Sequence, residues 1–529
     1  MSERDSVRVG DGVLQLEADV LVLGGGPAGT WAALSALESG ANVVLADKGY
    51  CGTSGATAAA GVGVWYVPPD PEEREKARAS REELGGYLAE RRWMDRVLDE
   101  TYASVNSLGD WGYPFPLDDR GEPVRRSLQG PEYMRLMRKR VKAGGARILD
   151  HSPALELIVD DDGVVAGAAG VSRRDGQRWV VRAGAVVIAT GGCAFLSRAL
   201  GCNVLTGDGG LLAAEAGADF SGMEFSNAYG ISPIFASVTK TLFYNWATFT
   251  HEDGRIVEGA GSQRGRSVIA RTLMSEPVFA RLDKASEDQR LWMRAAQPNF
   301  FLPFDRAGID PFTERFQVTL RLEGTVRGTG GIRVVDDACA TTAAGLFAAG
   351  DAATRERICG AFTGGGSHNA AWAISSGRFA GRGAAEFAKR IGRSRDRASH
   401  GVGGRALRPG RPSQAIDTEA IVLGVQKEVM PYDKNLFRSD RRLKESSSVL
   451  DGLWQELDGH APEGTQGLVR AREAAAMVAT ARWMYASARK RTETRGMHKH
   501  EDFVSLDVAQ QRCVLTGGLD TLWVRPHAG

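Results

Sequence analysis

The sequence has no apolar run long enough to cross a membrane and no cysteine pattern typical of a bound metal. Its richest apolar stretches, such as Ala185 to Ala189, span five to eight residues between glycines, whereas a membrane helix needs about 20. The six cysteines form no C-x-x-C pair. We therefore expect reduced thiols and neither a zinc site nor an iron–sulfur cluster within this chain.

The sequence also lacks an excess of charge of either sign. Its 66 Lys and Arg residues balance 65 Asp and Glu residues, for a formal net charge of +1. No long basic or acidic block occurs, which argues against nucleic-acid and membrane-surface binding. The first twenty residues are polar and mixed in charge, so no signal peptide is predicted and a cytoplasmic protein is expected.

Glycine, in contrast, is abundant. The chain has 66 glycines in 529 residues, and many of them lie in short motifs, which indicates close approach of the backbone to a ligand. A chain of this length exceeds one ordinary core, so two to four domains are expected.

One glycine motif has the full context of a dinucleotide site. A predicted strand ends at Leu23 and is followed by G-x-G-x-x-G at 24–29, a helical pattern and a second strand that ends at Ala46. The glycines allow a pyrophosphate to reach the N-terminus of the helix, whose free N–H groups favour anions. Asp47 then stands where an acid accepts hydrogen bonds from ribose hydroxyls.

The remaining pattern divides the chain. Strand-to-glycine motifs recur at 185–192 and 345–351, whereas residues 226–333 lack them and are rich in aromatic and charged residues, as in an inserted domain. From Gln414 to about Arg495 the pattern is helical, and Ala471 to Arg491 is its clearest amphipathic stretch.

Further motifs follow one another along almost the whole chain. They are GGGPAG (24–29), TSGATAAAG (53–61), ATGG (189–192), TGDG (206–209), AAEAGADFSGMEF (213–225), GRSVIAR (265–271), GTGGIRV (328–334), GLFAAGD (345–351), GGGSHNAAWAISSGRFAG (364–381) and TETRGMHKHEDF (492–503). In this order they resemble the flavoprotein subunit family of succinate dehydrogenase and fumarate reductase, which also includes L-aspartate oxidase and the adenylylsulfate reductase flavoprotein.

The resemblance implies an α/β fold. It has a Rossmann-like FAD-binding domain in two parts (1–225 and 334–400), an inserted α+β capping domain (226–333) and a C-terminal helical domain (401–529).

The cofactor implied by the resemblance is FAD. The residues implied to bind it are Gly24, Gly26, Ala28 and Gly29 at the pyrophosphate, Asp47 and Lys48 at the adenosine ribose, Thr53, Ser54, Gly55, Ala59 and Gly61 along the isoalloxazine, Asp208 in the cleft, Asp351 at the ribityl chain, and His368 and Asn369 at the flavin. Three of these have alternative interpretations: Asp208 as a helix cap, Asp351 as a turn residue, and His368 as a loop histidine bonded to backbone.

The chain departs from the family at the flavin attachment site. Members in membrane complexes attach FAD through a histidine in a Ser-His-Thr run, and the aligned residues here are Ser54, Gly55 and Ala56. Non-covalent FAD is therefore expected.

The dicarboxylate site departs further. The two family histidines fall on Tyr229 and Val326, and the substrate arginine falls on Thr363. An unpaired carboxylate in a closed site is costly, so succinate, fumarate and aspartate are not expected as substrates.

Arg266 matches the family arginine that exchanges the substrate proton, and a helix-terminal salt bridge is its alternative role. Tyr229 is a candidate replacement acid or base, with a packed tyrosine as the alternative. His368 stands where a helix N-terminus can tune the redox properties of the flavin.

His498 and His500 have a spacing that suits a metal, but no third ligand is evident, so structural roles are preferred and no metal site is predicted.

The sequence thus favours an FAD-dependent oxidoreductase that transfers hydride between flavin N5 and a small-molecule substrate. The alternative is a flavoprotein subunit that exchanges electrons with an iron–sulfur or ferredoxin-like partner, and a third hypothesis is a flavin-binding protein of assembly or regulation. The sequence does not determine the oligomeric state, and a homodimer is the hypothesis to test.

Overall fold

The computed structural model describes residues 8–10, 12–118, 120–239, 241–262, 265–362, 367–392 and 397–527. The strands in these ranges are β1 Arg8–Gly10, β2 Val13–Leu23, β3 Val43–Ala46, β4 Gly61–Gly63, β5 Ser127–Gln129, β6 Arg147–Leu149, β7 Ala154–Asp160, β8 Val165–Val171, β9 Arg178–Ile188, β10 Phe220–Ser221, β11 Ala228–Pro233, β12 Thr248–Thr250, β13 Val278–Arg281, β14 Phe316–Gly324, β15 Gly331–Ile332, β16 Leu346–Ala348, β17 Ser399–Gly401, β18 Phe437–Arg438, β19 Lys499–His500, β20 Val514–Gly517 and β21 Trp523–Pro526. The helices are α1 Pro27–Glu38, α2 Pro71–Leu84, α3 Arg91–Asp110, α4 Gly130–Ala143, α5 Asp208–Glu215, α6 Gly265–Leu273, α7 Glu287–Ala296, α8 Pro298–Ala307, α9 Glu356–Cys359, α10 Ser367–Ile391, α11 Thr418–Val429, α12 Tyr432–Asn435, α13 Asp440–Glu456 and α14 Gly464–Lys490.

A nine-stranded sheet forms the centre of the FAD-binding part. Its order is β17-β7-β8-β9-β2-β3-β6, with β1 paired to β2 and β16 to β9. The pairs β9–β2, β2–β3, β3–β6 and β16–β9 are parallel. The second half of β2 and all of β3 are buried, as expected of parallel strands covered on both faces.

Helices α1 and α10 pack against each other beside this sheet. Small residues allow the close crossing: a Cβ added at Gly377 would lie 2.5 Å from the Ala28 carbonyl oxygen, and one at Gly381 would lie 2.2 Å from that of Ala32. The predicted β–α–β unit is present, with strand ends at Leu23 and Ala46.

Residues 226 to 333, which we call the cap, have a sheet of their own. Four antiparallel strands in the order β11-β14-β13-β12 pack with α6 to α8. Phe300, Phe304 and Phe316 are almost fully buried there, and Phe304 meets Phe316 edge-on with ring centroids 4.7 Å apart. The aromatic residues of this stretch therefore build its core.

The C-terminal region contains α11 to α14, as expected for a helical domain. One expectation was wrong: α14 is not amphipathic over Ala471 to Arg491. Residues 474–485 are all buried, because α14 lies between α5, α11 and α13, and the charged side chain within this stretch, Arg482, is paired with Asp451. After α14, β20 and β21 join β10 and β15 in a small antiparallel sheet.

The fold is thus an α/β FAD-binding domain with an inserted α+β cap and a largely helical C-terminal region, as predicted. Within the described ranges, no helix is both long and apolar enough to span a bilayer.

Candidate active site

Four parallel strands of the central sheet end at one large cavity of about 820 Å³. Leu23 at the end of β2, Ala46 at the end of β3, Ala189 just after β9 and Gly350 just after β16 all line it. Ligands of open α/β sheets bind at the carboxyl ends of such strands. The cap closes the other side of the cavity.

The turn between β2 and α1 brings the backbone to the cavity. Gly24 has φ +108°, and a Cβ there would lie 2.3 Å from the Ala189 carbonyl oxygen. Gly26 is the N-cap of α1, and a Cβ there would meet nothing within 4 Å. A Cβ at Gly29 would collide with the Gly24 carbonyl oxygen at 1.8 Å. Gly24 and Gly29 therefore make the turn, whereas Gly26 leaves open space at the positive end of a helix.

Asp47 is buried at the end of β3 and holds this turn together. Its Oδ2 accepts a hydrogen bond from the Gly25 amide at 2.5 Å, and its Oδ1 accepts from the Gly49 amide at 2.7 Å and the Ser54 hydroxyl at 2.8 Å. The carboxylate lines the cavity and also fixes the surrounding backbone.

Lys48 connects the cavity to the C-terminal region. Its Nζ lies 2.6 Å from Oδ2 of Asp208 and 2.9 Å from Oε1 of Glu473 on α14, and it donates to the Thr206 hydroxyl at 2.7 Å. Burial lowers the pKa of Lys48, but the two carboxylates outweigh burial and raise it above its ordinary value. Asp208 begins α5 and also lines the cavity.

Asn369 lies in the first turn of α10 and lines the cavity. Its Nδ2 donates to the Val326 carbonyl oxygen at 3.2 Å, whereas its Oδ1 is buried without a hydrogen-bond partner among the described residues. His368 is buried beside it, and its ring centroid lies 4.7 Å from that of Trp65.

Asp351 lines the same cavity just after β16. Its Oδ1 lies 2.6 Å from Nη1 of Arg355, which is 1% exposed. The carboxylate is therefore held in one orientation by a buried cation.

Arg266 is the second residue of α6 and lines the cavity from the cap. Burial lowers the pKa of its guanidinium to about 10, the positive charge of Arg327 adds to this effect, and the Glu323 carboxylate opposes it. Glu323 is fully buried, pairs with Arg327 at 3.0 Å and accepts from the Thr239 hydroxyl at 2.8 Å. Arg327 and Thr239 also line the cavity.

Four aromatic side chains of the cap, which we call the aromatic wall, line the same cavity. Phe243, Tyr244, Phe249 and Trp292 all line the cavity, and the ring centroids of Phe243 and Trp292 are 6.0 Å apart. The sequence analysis did not single out these residues, or Arg327, as site residues. The only signal was the aromatic run FYNW at 243–246 and the position of Arg327 directly before the GTGG turn.

Two family models match the chain: an FAD binding domain over residues 19–227 and the fumarate reductase flavoprotein C-terminal domain over residues 426–514. The chain is 26% identical to a CoM/CoB fumarate reductase subunit from Methanothermobacter marburgensis, with 94% of this chain and 97% of that protein covered. It is 28% identical to an L-aspartate oxidase from Streptomyces coelicolor, with 93% and 90% covered.

The chain belongs to the succinate dehydrogenase and fumarate reductase flavoprotein family. Its fold also matches an E. coli quinol fumarate reductase chain with a TM-score of 0.81 at 20% identity, covering 97% of this chain and 96% of that one. An adenylylsulfate reductase from Archaeoglobus fulgidus gives a TM-score of 0.79 at 17% identity, covering 99% and 98%.

The cofactor of this flavoprotein is FAD, and the cavity fits it. The open space at Gly26 lies where a pyrophosphate meets the N-terminus of α1, and Oδ1 of Asn369, which has no hydrogen-bond partner among the described residues, offers an acceptor in the same cavity. When bound, FAD supplies two-electron redox chemistry.

Most of the site residues predicted for the flavoprotein line the cavity. These are Gly24, Gly26, Ala28, Asp47, Lys48, Ser54, Gly55, Gly61, Asp208, Arg266, Asp351 and Asn369. Gly29, Thr53, Ala59, Tyr229 and His368 do not line it. Thr363 and Gly364 to Gly366 lie outside the described residues.

Tyr229 is the largest departure from the sequence-based expectation. It lies on β11, and its hydroxyl donates to the backbone carbonyl oxygens of Val429 at 3.1 Å and Met430 at 3.0 Å. Burial raises its pKa well above the ordinary value, and the nearby Tyr485 and Tyr432 add to this effect. This geometry corresponds to the packed tyrosine and does not support Tyr229 as an acid or base in the cavity.

The two histidines of the RGMHKHEDF segment have structural contacts. His498 is fully buried, with Nδ1 2.7 Å from Nη1 of Arg438 and Nε2 3.0 Å from the Arg491 carbonyl oxygen. Burial and these two arginines hold its pKa well below the usual value. His500 accepts a hydrogen bond from the Asp502 amide at 3.2 Å. No group of three metal-binding side chains occurs in the part of the chain that the structure describes.

Proposed function

We propose that this flavoprotein transfers hydride between FAD and a small organic substrate that is not a simple dicarboxylate. The observation that carries the proposal is the cap side of the cavity, where Arg266 lies with Val326. The family arginine of proton exchange is thus retained, while a family position for a carboxylate-binding histidine is apolar.

The role proposed for Arg266 is to hold and transfer the proton that accompanies the hydride. Its pKa of about 10 leaves the guanidinium protonated at neutral pH, yet closer to the working pH than an ordinary arginine. When hydride is transferred to a substrate carbon, the atom next to that carbon takes a proton from Arg266. In the opposite direction, Arg266 accepts that proton.

The exclusion of dicarboxylates rests on the two positions, Tyr229 and Val326, that align with the carboxylate-binding histidines of the family. Tyr229 directs its hydroxyl toward α11, and Val326 offers only its carbonyl oxygen, which accepts from Asn369 and Arg355. A second carboxylate placed against Val326 would lose its water without gaining a free cation there, because the neighbouring Arg327 is already paired with Glu323, and this costs several kcal/mol.

The direct test follows the FAD absorption of the purified holoprotein under anaerobic conditions against a panel of small organic compounds. Succinate, fumarate and aspartate are included, and the expected result is reduction or reoxidation by another member of the panel. Rapid bleaching by succinate or aspartate, or rapid reoxidation by fumarate, would refute the proposed exclusion.

Arg266→Gln should lower the rate with the active compound about 100- to 10,000-fold, as expected for loss of a general acid. Arg306→Gln is the matched control, because Arg306 is an exposed cap arginine outside the cavity. Equal rates in the two variants would remove Arg266 from the mechanism.

FAD is proposed to bind non-covalently. Gly55 lines the cavity with φ +90° and has no side chain that could form a bond to the flavin. Acid precipitation should release the flavin into the supernatant, and flavin that stays with the protein pellet would contradict this proposal.

A second candidate function is exchange of electrons with an iron–sulfur protein, as one component of a larger assembly. The relative from Methanothermobacter marburgensis is named as one subunit of its fumarate reductase, and the described residues hold no metal-binding cluster, so any cluster would belong to the partner. Fast flavin reduction by a reduced ferredoxin, together with slow reaction with oxygen, would favour this candidate. Rapid formation of hydrogen peroxide during turnover would favour an oxidase.

A further inference from the structure

The cap residues that line the cavity provide one uncompensated positive charge. Among the described residues, Arg266 and Arg327 are the only charged cap residues in the cavity lining. Arg327 is paired with the buried Glu323 at 3.0 Å, and Thr239 satisfies the other oxygen of that carboxylate. Arg266 makes no hydrogen bond or ion pair to another described residue.

Aromatic side chains of the cap line the same cavity as Arg266. Phe243 and Tyr244 are buried, whereas Trp292 is 48% exposed although it lines the cavity. The Tyr244 hydroxyl is buried and has no hydrogen-bond partner among the described residues. Leaving such a hydroxyl unpaired is unfavourable, which is consistent with a bound molecule that completes this wall.

The two features recognise different parts of a ligand. One free guanidinium binds one carboxylate through charge-assisted hydrogen bonds, and an aromatic wall with a half-exposed tryptophan stabilises an apolar or aromatic body by burial. A second carboxylate facing Phe243 and Trp292 would be left unpaired.

We propose that the substrate is a monocarboxylate with an apolar or aromatic body, its carboxylate bound by Arg266 and its body packed against Phe243, Tyr244 and Trp292. This inference rests on the proposed function and defines the substrate class of the same site. Arg81 and Arg126 line the cavity from the FAD-binding domain, so the test must include a dicarboxylate that could use them.

The experiment measures dissociation constants for the oxidised holoprotein by isothermal titration calorimetry. Four compounds vary the number of carboxylates and the presence of an aromatic ring separately: 3-phenylpropanoate, butyrate, 3-phenylpropan-1-ol and succinate. We expect 3-phenylpropanoate to bind at least about tenfold more tightly than each of the other three, because only it satisfies both features.

Variants separate the two contacts. Arg266→Gln should weaken binding of 3-phenylpropanoate about 10- to 100-fold and leave binding of 3-phenylpropan-1-ol unchanged. Trp292→Ala should weaken 3-phenylpropanoate and leave butyrate unchanged. Arg306→Gln on the cap surface is the control for both.

Succinate binding as tight as that of 3-phenylpropanoate would overturn the inference, as would an Arg266→Gln variant that behaves like Arg306→Gln. The inference would also be overturned if only dicarboxylates, or only uncharged compounds, reduced the flavin. Reduction by an uncharged compound would still uphold the proposed redox function. Tight, Arg266-dependent binding of 3-phenylpropanoate in a protein whose flavin no organic compound reduces or reoxidises would uphold the binding site and refute the proposed function.

Discussion

The Tyr229 hydroxyl lies 3.0 Å from the backbone carbonyl oxygen of Met430, and this hydrogen bond joins a cap strand to the end of a C-terminal helix. Val429, the last residue of α11, accepts from the same hydroxyl at 3.1 Å. The last carbonyls of a helix have no partner within the helix. Tyr229 therefore ties the cap to the C-terminal region at a helix end.

Tyr229→Phe removes this hydrogen bond and keeps the ring, which meets Tyr432 edge-on at 5.5 Å. We expect the free energy of unfolding to fall by about 1 to 2 kcal/mol, because the Met430 carbonyl oxygen loses this donor, whereas the Val429 carbonyl oxygen keeps Asn435 Nδ2 at 2.7 Å. The rate of flavin reduction should be unchanged. Denaturant unfolding and single-turnover kinetics on the same preparation check both parts.

Tyr87→Phe is the control, since Tyr87 is 56% exposed and its hydroxyl should contribute little. A Tyr229→Phe variant with full stability and a much lower rate of flavin reduction would restore the catalytic role expected from the sequence.

Gly24 and Gly26 differ in what a side chain would meet. Gly24→Ala places a methyl group 2.3 Å from the Ala189 carbonyl oxygen at φ +108°, so the folded protein should be strongly destabilised. Gly26→Ala meets no protein atom within 4 Å, and φ at Gly26 is −77°. Its methyl group should therefore cost the apoprotein only about 1 kcal/mol, the loss expected for alanine at an N-cap, but obstruct the pyrophosphate.

Unfolding of the two apoproteins and titration of each with FAD measure these effects. The expected outcome is a stable Gly26→Ala apoprotein with FAD affinity reduced at least about tenfold. If Gly26→Ala bound FAD as tightly as the parent protein, the cofactor would not approach the N-terminus of α1.

Lys48 and Lys76 both form ion pairs of similar length but in different surroundings. Lys48 is 13% exposed and lies 2.6 Å from Asp208, whereas Lys76 is 72% exposed and lies 2.7 Å from Glu72. Lys48→Met leaves Asp208 and Glu473 close together without their cation. We expect unfolding free energy to fall by about 2 to 4 kcal/mol, against less than about 0.5 kcal/mol for Lys76→Met.

Denaturant unfolding of both variants, with FAD content measured in parallel, tests this difference. Equal destabilisation of the two variants would show that the network around Lys48 is no stronger than a surface ion pair. A second replacement, Glu473→Gln in the Lys48→Met background, should recover part of the loss by removing one of the two unpaired carboxylates.

The local features of this molecule could be predicted from the sequence, and its long-range contacts could not. The turn at Gly24 follows from chain-local patterns, because its glycines, strand and helix are consecutive. The direction of Tyr229 depends on α11, 200 residues further along the chain. Likewise, α14 carries polar residues such as Thr480 and Arg482 within its length but is enclosed by three other helices, and no pattern within its own sequence reveals that enclosure.

The same limit applies to the cap side of the cavity. Arg266 could be aligned with a family motif, whereas Arg327 and Trp292 reach the cavity from the segment after β14 and from α7. The charge balance at Arg266 depends on Glu323, which becomes relevant only when β14 is placed beside β11.

Glu356 gives the flavoprotein a predictable dependence of stability on pH. It is buried and accepts a hydrogen bond from the Ser221 hydroxyl. Burial raises its pKa from 4.5 to about 7, the nearby Glu224 carboxylate adds to this rise, and Ser221 opposes it. The folded protein therefore binds more protons here than the unfolded chain between pH 4.5 and about 7.

It follows that the contribution of Glu356 is most favourable below pH 4.5 and is lost as pH rises through about 7. Glu356→Gln replaces the protonated acid by a neutral group of the same shape, so it should abolish this dependence. Relative to the parent, the variant should gain up to about 3 kcal/mol between acidic and mildly alkaline pH, since each pKa unit corresponds to about 1.4 kcal/mol.

Urea unfolding of both proteins at several pH values across this window measures the difference directly. Titrating groups that do not interact with Glu356, including the buried His498, cancel in the comparison, whereas Glu224 and Cys513 interact with Glu356 and contribute to the measured difference. Glu386→Gln on the exposed face of α10 is the surface control. A Glu356→Gln difference that is flat, or that moves in favour of the parent protein as pH rises, would mean that Glu356 is already ionised in the folded protein and that a cation balances it there.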